Sequence, residues 1–184
     1  KAYLSLILLT FLVNLYSQIS QGGKPFPYFP NNKNIASSVV LKRPDLQKAI
    51  LKSLSEDAIG GKKPLEFAWN HEVDLSPSNS GYWTILDGGI KTWRLVIVSP
   101  GAYAVNVYFE KFRLRNNCML FAYSPDQSRV LGGFNENNNL DSGALPLAFI
   151  PGESLVIELQ IPVGIEDFGE IRINSVGHDF INVF

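Results

Sequence analysis

From Pro64 to Phe184 the sequence is a succession of short apolar patterns separated by turn signals. In residues 90–99 two rows of side chains alternate, with Trp93, Leu95 and Ile97 in one row and Arg94, Val96 and Val98 in the other. Such alternation is typical of β-strands, because successive side chains point to opposite faces of a sheet. About nine such patterns follow one another without a long helical pattern between them. We therefore predict an all-β fold, an antiparallel, jelly-roll-like β-sandwich.

The most hydrophobic pattern, residues 154–161, gives the same result. Leu155, Ile157 and Leu159 fall on one face, while Val156 and Glu158 fall on the other. In residues 90–99, Trp93 is in register with Leu95 and Ile97, and we expect it to be a core anchor.

Residues 1–18 have the pattern of a secretory signal peptide: a basic first residue, an apolar stretch and a small polar end. We expect residues 19–63 to form an extended arm and linker with at most a short helical turn. We expect residues 64–184 to form the β-sandwich. The basic pairs Lys42–Arg43 and Lys62–Lys63 lie in the linker, where we expect exposed sites for proteolytic processing. The mature chain is then expected outside the cytoplasm, in the periplasm, at the cell surface or in the medium, without a membrane span.

The charge of the chain narrows its possible partners, and its cysteine content excludes an internal disulfide. The chain has 16 basic and 17 acidic residues and a net charge of -1, which does not favour nucleic acid as a partner. The single cysteine, Cys118, has no second cysteine for an internal disulfide, and we expect a buried, unreactive thiol.

Residues that carry catalysis elsewhere occur here in unsuitable contexts. Asp141–Ser142–Gly143 contains the central residues of a trypsin-like nucleophile motif but lacks the flanking glycines that shape an oxyanion hole. The two histidines, His71 and His178, show no motif that pairs them with a nucleophile and an acid. We expect this chain not to be an enzyme.

An Asn-rich stretch, residues 135–141 and called here the Asn-rich loop, offers oxygen ligands of the kind that Ca²⁺ prefers. They are Asn135, Glu136, Asn137 and Asp141. Asparagine is also common in β-turns, and the acidic spacing of an EF-hand is missing. We therefore expect an ordinary turn, with Ca²⁺ as the alternative, and no other cofactor.

Tyr82 and Trp83 are candidates for a binding face, because aromatic rings on a sandwich can stack on sugars. The competing interpretation is packing against neighbouring strands.

Short motifs in a fixed order link the sequence to a known family. They are Asn70–Leu75, Asn79–Trp83, Thr92–Leu95, Ser99–Ala102, Leu120–Tyr123, Leu131–Phe134, Ile150–Glu153, Ile157–Glu158 and Gly177–His178. In this order they resemble the non-catalytic N-terminal domain of secreted trypsin-like and lysyl-endopeptidase-type serine proteases, particularly those of Bacteroidetes. Residues Ile19–Pro25 also resemble the mature start of such proteins.

The resemblance implies a pro-domain or accessory domain that assists folding, latency or substrate placement of a protease domain in cis. In that family the protease domain follows the position of Phe180, so the catalytic triad would lie beyond this chain and the full-length product would be a serine endopeptidase. The alternative is a stand-alone extracellular module that binds carbohydrate or protein.

Overall fold

A computed structural model of the protein describes residues 19–28, 38–47 and 66–182. The predicted signal peptide and the basic pair Lys62–Lys63 lie outside the described residues.

The described residues include eleven β-strands and one short 3₁₀ turn, Glu136–Asn138, and Leu46 and Gln47 are also helical. The first six strands are β1 Ser38–Val40, β2 Ala68–Leu75, β3 Tyr82–Ile85, β4 Lys91–Val98, β5 Ala104–Leu114 and β6 Met119–Tyr123. The remaining five are β7 Val130–Phe134, β8 Leu145–Pro146, β9 Ile150–Pro151, β10 Ser154–Ile161 and β11 Gly169–Asp179.

The strands form two sheets. Sheet A has the order β1-β4-β10-β6-β7, with β3 also paired to β4. Sheet B has the order β2-β11-β5-β8, with β9 also paired to β5. The pairing of β1 with β4 is parallel, whereas the other pairings are antiparallel. The predicted all-β sandwich is confirmed.

The main core lies between the sheets and takes one row of side chains from each of the central strands β4, β5, β6, β10 and β11. Sheet A contributes Trp93, Leu95 and Ile97, and sheet B contributes residues such as Phe109 and Ile173, all at most 1% exposed. Trp93 is thus a core residue, as expected, and in residues 154–161 the row of Leu155, Ile157 and Leu159 also faces the core.

One strand, β1, lies within the predicted linker and joins sheet A. β5 runs from Ala104 to Leu114, and the simple alternation of its buried residues Val105, Val107 and Phe109 ends at Phe109. The register between β5 and β11 shifts next to Ile173, which moves the buried positions to Phe112 and Leu114. A β-bulge of this kind changes the phase of an alternating pattern within one strand.

In the described part of the chain, no helix has the length and apolar character needed to cross a bilayer.

Candidate functional site

The second face of sheet A, called here the outer face, carries a buried ion pair. Arg94 on β4 and Glu158 on β10 are direct cross-strand neighbours, and Arg94 Nε donates to Glu158 Oε2 at 2.7 Å. Their side chains are 8% and 0% exposed. The same face carries a second hydrophobic cluster of buried residues, formed by Val96, Phe121, Tyr123 and Val156. Charges in such surroundings need several hydrogen bonds to offset their lost hydration.

Glu158 has these hydrogen bonds. Its Oε2 also accepts from Tyr123 Oη at 2.7 Å, and its Oε1 accepts from Gln160 Nε2 at 2.8 Å. The fourth donor is the backbone N–H of Phe26, at 2.9 Å from Oε1. Burial raises the pKa of Tyr123 above its ordinary value, and the adjacent Glu158 carboxylate raises it further. The tyrosine is therefore a proton donor in this cluster.

The outer face is covered by residues Ile19–Tyr28, which we call the docked segment. The Phe26 carbonyl accepts from Arg94 Nη2 at 3.4 Å and from Gln127 Nε2 at 2.8 Å. The Lys24 carbonyl accepts from Gln160 Nε2 at 3.0 Å, and the Tyr28 ring packs edge-on against Tyr123 at 6.2 Å. The predicted arm is thus bound along the sandwich in this part.

A second polar cluster lies between the sheets. Ser99 Oγ lies 2.8 Å from His178 Nδ1, and the His71 ring lies 6.1 Å from the His178 ring. Burial lowers the pKa of both histidines, and for His178 the neighbouring His71 and Arg43 lower it further. Ser99 and His178 are at most 1% exposed, so the pair links sheet A to sheet B without access for a substrate.

The Asn-rich loop is organised by its own hydrogen bonds. Asn135 Oδ1 accepts from the Asn137 backbone N–H, and Asn138 Oδ1 accepts from the Asn135 backbone N–H. Asp141 is exposed, and one Glu136 carboxylate oxygen is buried. Among residues 19–28, 38–47 and 66–182, no group of three or more His, Cys, Asp or Glu residues could hold a metal ion.

The candidate aromatics make packing contacts. Lys91 Nζ lies 4.4 Å from the centroid of the Trp83 ring, and the Phe168 ring lies 5.9 Å from it. Trp83 Nε1 donates to the Pro77 carbonyl at 3.2 Å, and the Tyr82 hydroxyl is buried. Glycan stacking on Tyr82 and Trp83 stays a prediction.

The predicted processing pair Lys42–Arg43 is exposed and begins two residues after the end of β1. The N–H of Leu41 donates to the Val98 carbonyl at 2.8 Å, so the pair begins where the pairing with β4 ends.

No protein-family model matches the sequence, and no solved structure matches the chain.

Proposed function

We propose that the chain is a non-catalytic β-sandwich domain of a secreted serine protease, of the trypsin-like or lysyl-endopeptidase type. In this role it binds a protease domain in cis and assists its folding, its latency or the placement of its substrate.

The main observation behind the proposal is that the stretch with the resemblance and the strands of the sandwich have nearly the same bounds. The motifs that resemble the protease family run from Asn70 to Phe180, and strands β2 to β11 run from Ala68 to Asp179. The stretch with the resemblance therefore corresponds to a unit with its own core, as expected for a domain attached to another domain.

The chemistry of the buried groups is consistent with a structural unit. Glu158 is bound by Arg94 and Tyr123, and His178 contacts Ser99 between the sheets. A catalytic serine needs a base within hydrogen-bond reach and space for the substrate, and the Ser99–His178 pair is enclosed.

The test is isolation of the native product with antibodies against the sandwich, from both cells and culture medium. The isolate is treated with a fluorophosphonate probe, which labels the nucleophile of active serine hydrolases, and with Lys-X and Arg-X peptide substrates. We expect a labelled serine in the same polypeptide as the sandwich, or in a complex with it. The purified 184-residue chain and its Ser142→Ala variant are the controls and are expected to stay unlabelled. An isolate with abundant sandwich peptides and no labelled serine would contradict the proposal.

A further inference from the structure

The docked segment is bound mainly through its main chain. The Phe26 N–H and the carbonyls of Lys24, Phe26 and Pro27 all bond to side chains of the sandwich. Those side chains come from β4, from β10 and from the turn between β6 and β7; they are Arg94, Glu158, Gln160 and Gln127. In peptide recognition, hydrogen bonds to the main chain of the ligand contribute affinity.

The sequence of the docked segment suits this binding. Pro25 and Pro27 have no N–H groups, and the one N–H between them, that of Phe26, donates to Glu158. A Pro-Phe-Pro stretch is also restricted before binding, which lowers the entropy lost when it is ordered.

Gly23 of the segment and Gly133 of β7 allow the segment to approach the sheet closely. The Gln21 N–H donates to the Gly133 carbonyl at 2.9 Å, and the Gly133 N–H donates to the Gly22 carbonyl at 3.2 Å. Gly23 has φ +79°, and a Cβ there would lie 3.1 Å from Met119 Cε and 3.2 Å from Phe121 Cζ. A side chain at this position would strain the backbone and crowd the outer face.

The binding groups are also held in place by the sandwich. The bonds from Arg94 and Tyr123 to Glu158 join β4, β6 and β10 without any residue of the docked segment. The outer face therefore has the features of a preorganised site.

We propose that the outer face of sheet A is a peptide-binding site, and that its ligand is the chain's own docked segment. The segment then stays bound after the chain is cut between it and the sandwich. Processing at Lys42–Arg43 or Lys62–Lys63 leaves the segment attached as part of a non-covalent fragment that also carries β1. This inference is independent of the proposed protease role, since it concerns contacts within one chain.

The experiment uses the full chain with a recognition site for a sequence-specific protease inserted between Asn34 and Ile35. The folded protein is cut, and size-exclusion chromatography with mass detection follows the fragment at about 10 μM and after dilution to about 10 nM. We expect the fragment to elute with the sandwich, in a one-to-one complex, at the higher concentration.

Matched variants test the contacts. Gln127→Ala removes the donor to the Phe26 carbonyl and should raise the dissociation constant of the fragment about three- to tenfold. Arg129→Gln, an exposed change in the same turn, should leave it unchanged. Gly23→Ala should weaken retention more than Gly22→Ala, because both glycines have positive φ but nothing lies within 4 Å of a Cβ at Gly22.

The following outcomes would overturn the inference. A fragment that separates at about 10 μM from a sandwich that still unfolds cooperatively shows that the site does not hold a free peptide. A sandwich that loses its near-UV circular dichroism on cutting shows that the segment is part of the fold and not a ligand. A complex with exchanged segments between two copies, or equal binding by the Gln127→Ala and Arg129→Gln variants, contradicts the assigned contacts.

Discussion

The ion pair on the outer face gives the sharpest prediction. Replacing Glu158 with Leu removes the acceptor for Arg94 Nε, Tyr123 Oη and the Phe26 N–H while keeping a side chain of similar size. The Arg94 charge then stays in a position that is 8% exposed, without its carboxylate partner. The variant tests whether the hydrogen-bonded network contributes to the free energy of unfolding.

Breaking a buried ion pair by removal of one partner costs about 3–5 kcal/mol of unfolding free energy. For a chain of this size, each kcal/mol shifts the melting temperature by about 2–4 °C, so Glu158→Leu should lower it by roughly 6–20 °C. Arg94→Met should have a similar effect, because it leaves the carboxylate of Glu158 buried without its cation.

The assay is urea unfolding followed by circular dichroism, with calorimetry as a second measure of stability. The double variant Arg94→Met/Glu158→Leu should be less destabilised than either single variant, because no unpaired charge stays buried. The control is Glu170→Gln in the exposed pair with Lys111, where we expect a loss below about 1 kcal/mol. Single variants that lose less than about 1 kcal/mol, or a double variant that loses the sum of both, would refute the reasoning.

Three further predictions concern other parts of the sandwich. Cys118 should not react with a thiol reagent at pH 8 until the chain is unfolded, because the thiol is fully buried and burial, with nearby carboxylates, raises its pKa to about 11; rapid labelling of the native chain would contradict this. The folded-state pKa of His178 lies below its unfolded value of about 6.5, so the unfolded chain binds the proton first and stability should fall as the pH decreases below about 6.5. Urea midpoints at several pH values should show this slope, and the His178→Gln variant should show a smaller one; an unchanged slope in that variant would exclude His178 as its source. Gly81→Ala should be more destabilising than Gly88→Ala by about 1–3 kcal/mol. Both glycines have positive φ, but only at Gly81 would a Cβ overlap the Arg94 carbonyl and lie 2.5 Å from Trp93 Nε1. Equal losses of stability in thermal unfolding would contradict this difference.

Alternation in the sequence predicts which row of each central strand faces the core, since strand geometry is local. It also places Arg94 and Glu158 together with Val96 and Val156 on the second row. It does not show that this second face is covered, because the cover comes from a distant part of the chain. Phe26 and Glu158, for example, are separated by 132 positions in the sequence.

The same limit applies to the candidate sites. The sequence shows Ser99 in a turn and His178 near the end of a strand, but their contact depends on how the ends of β4 and β11 meet across the core. The environment of Trp83 depends on Lys91 and Phe168 in the same way. The sequence does contain a signal for the Arg94–Glu158 pair. Each of the two apolar strands carries a single charge in its middle, and the two charges have opposite signs.

The most direct test of the central claim is the intact mass and C-terminal peptide sequence of the native precursor, taken before processing. Our account predicts peptides that continue beyond Phe184 into a domain with a His, Asp and Ser triad. A native precursor that ends at Phe184 would contradict the protease assignment and leave a sandwich whose partner must be identified by binding.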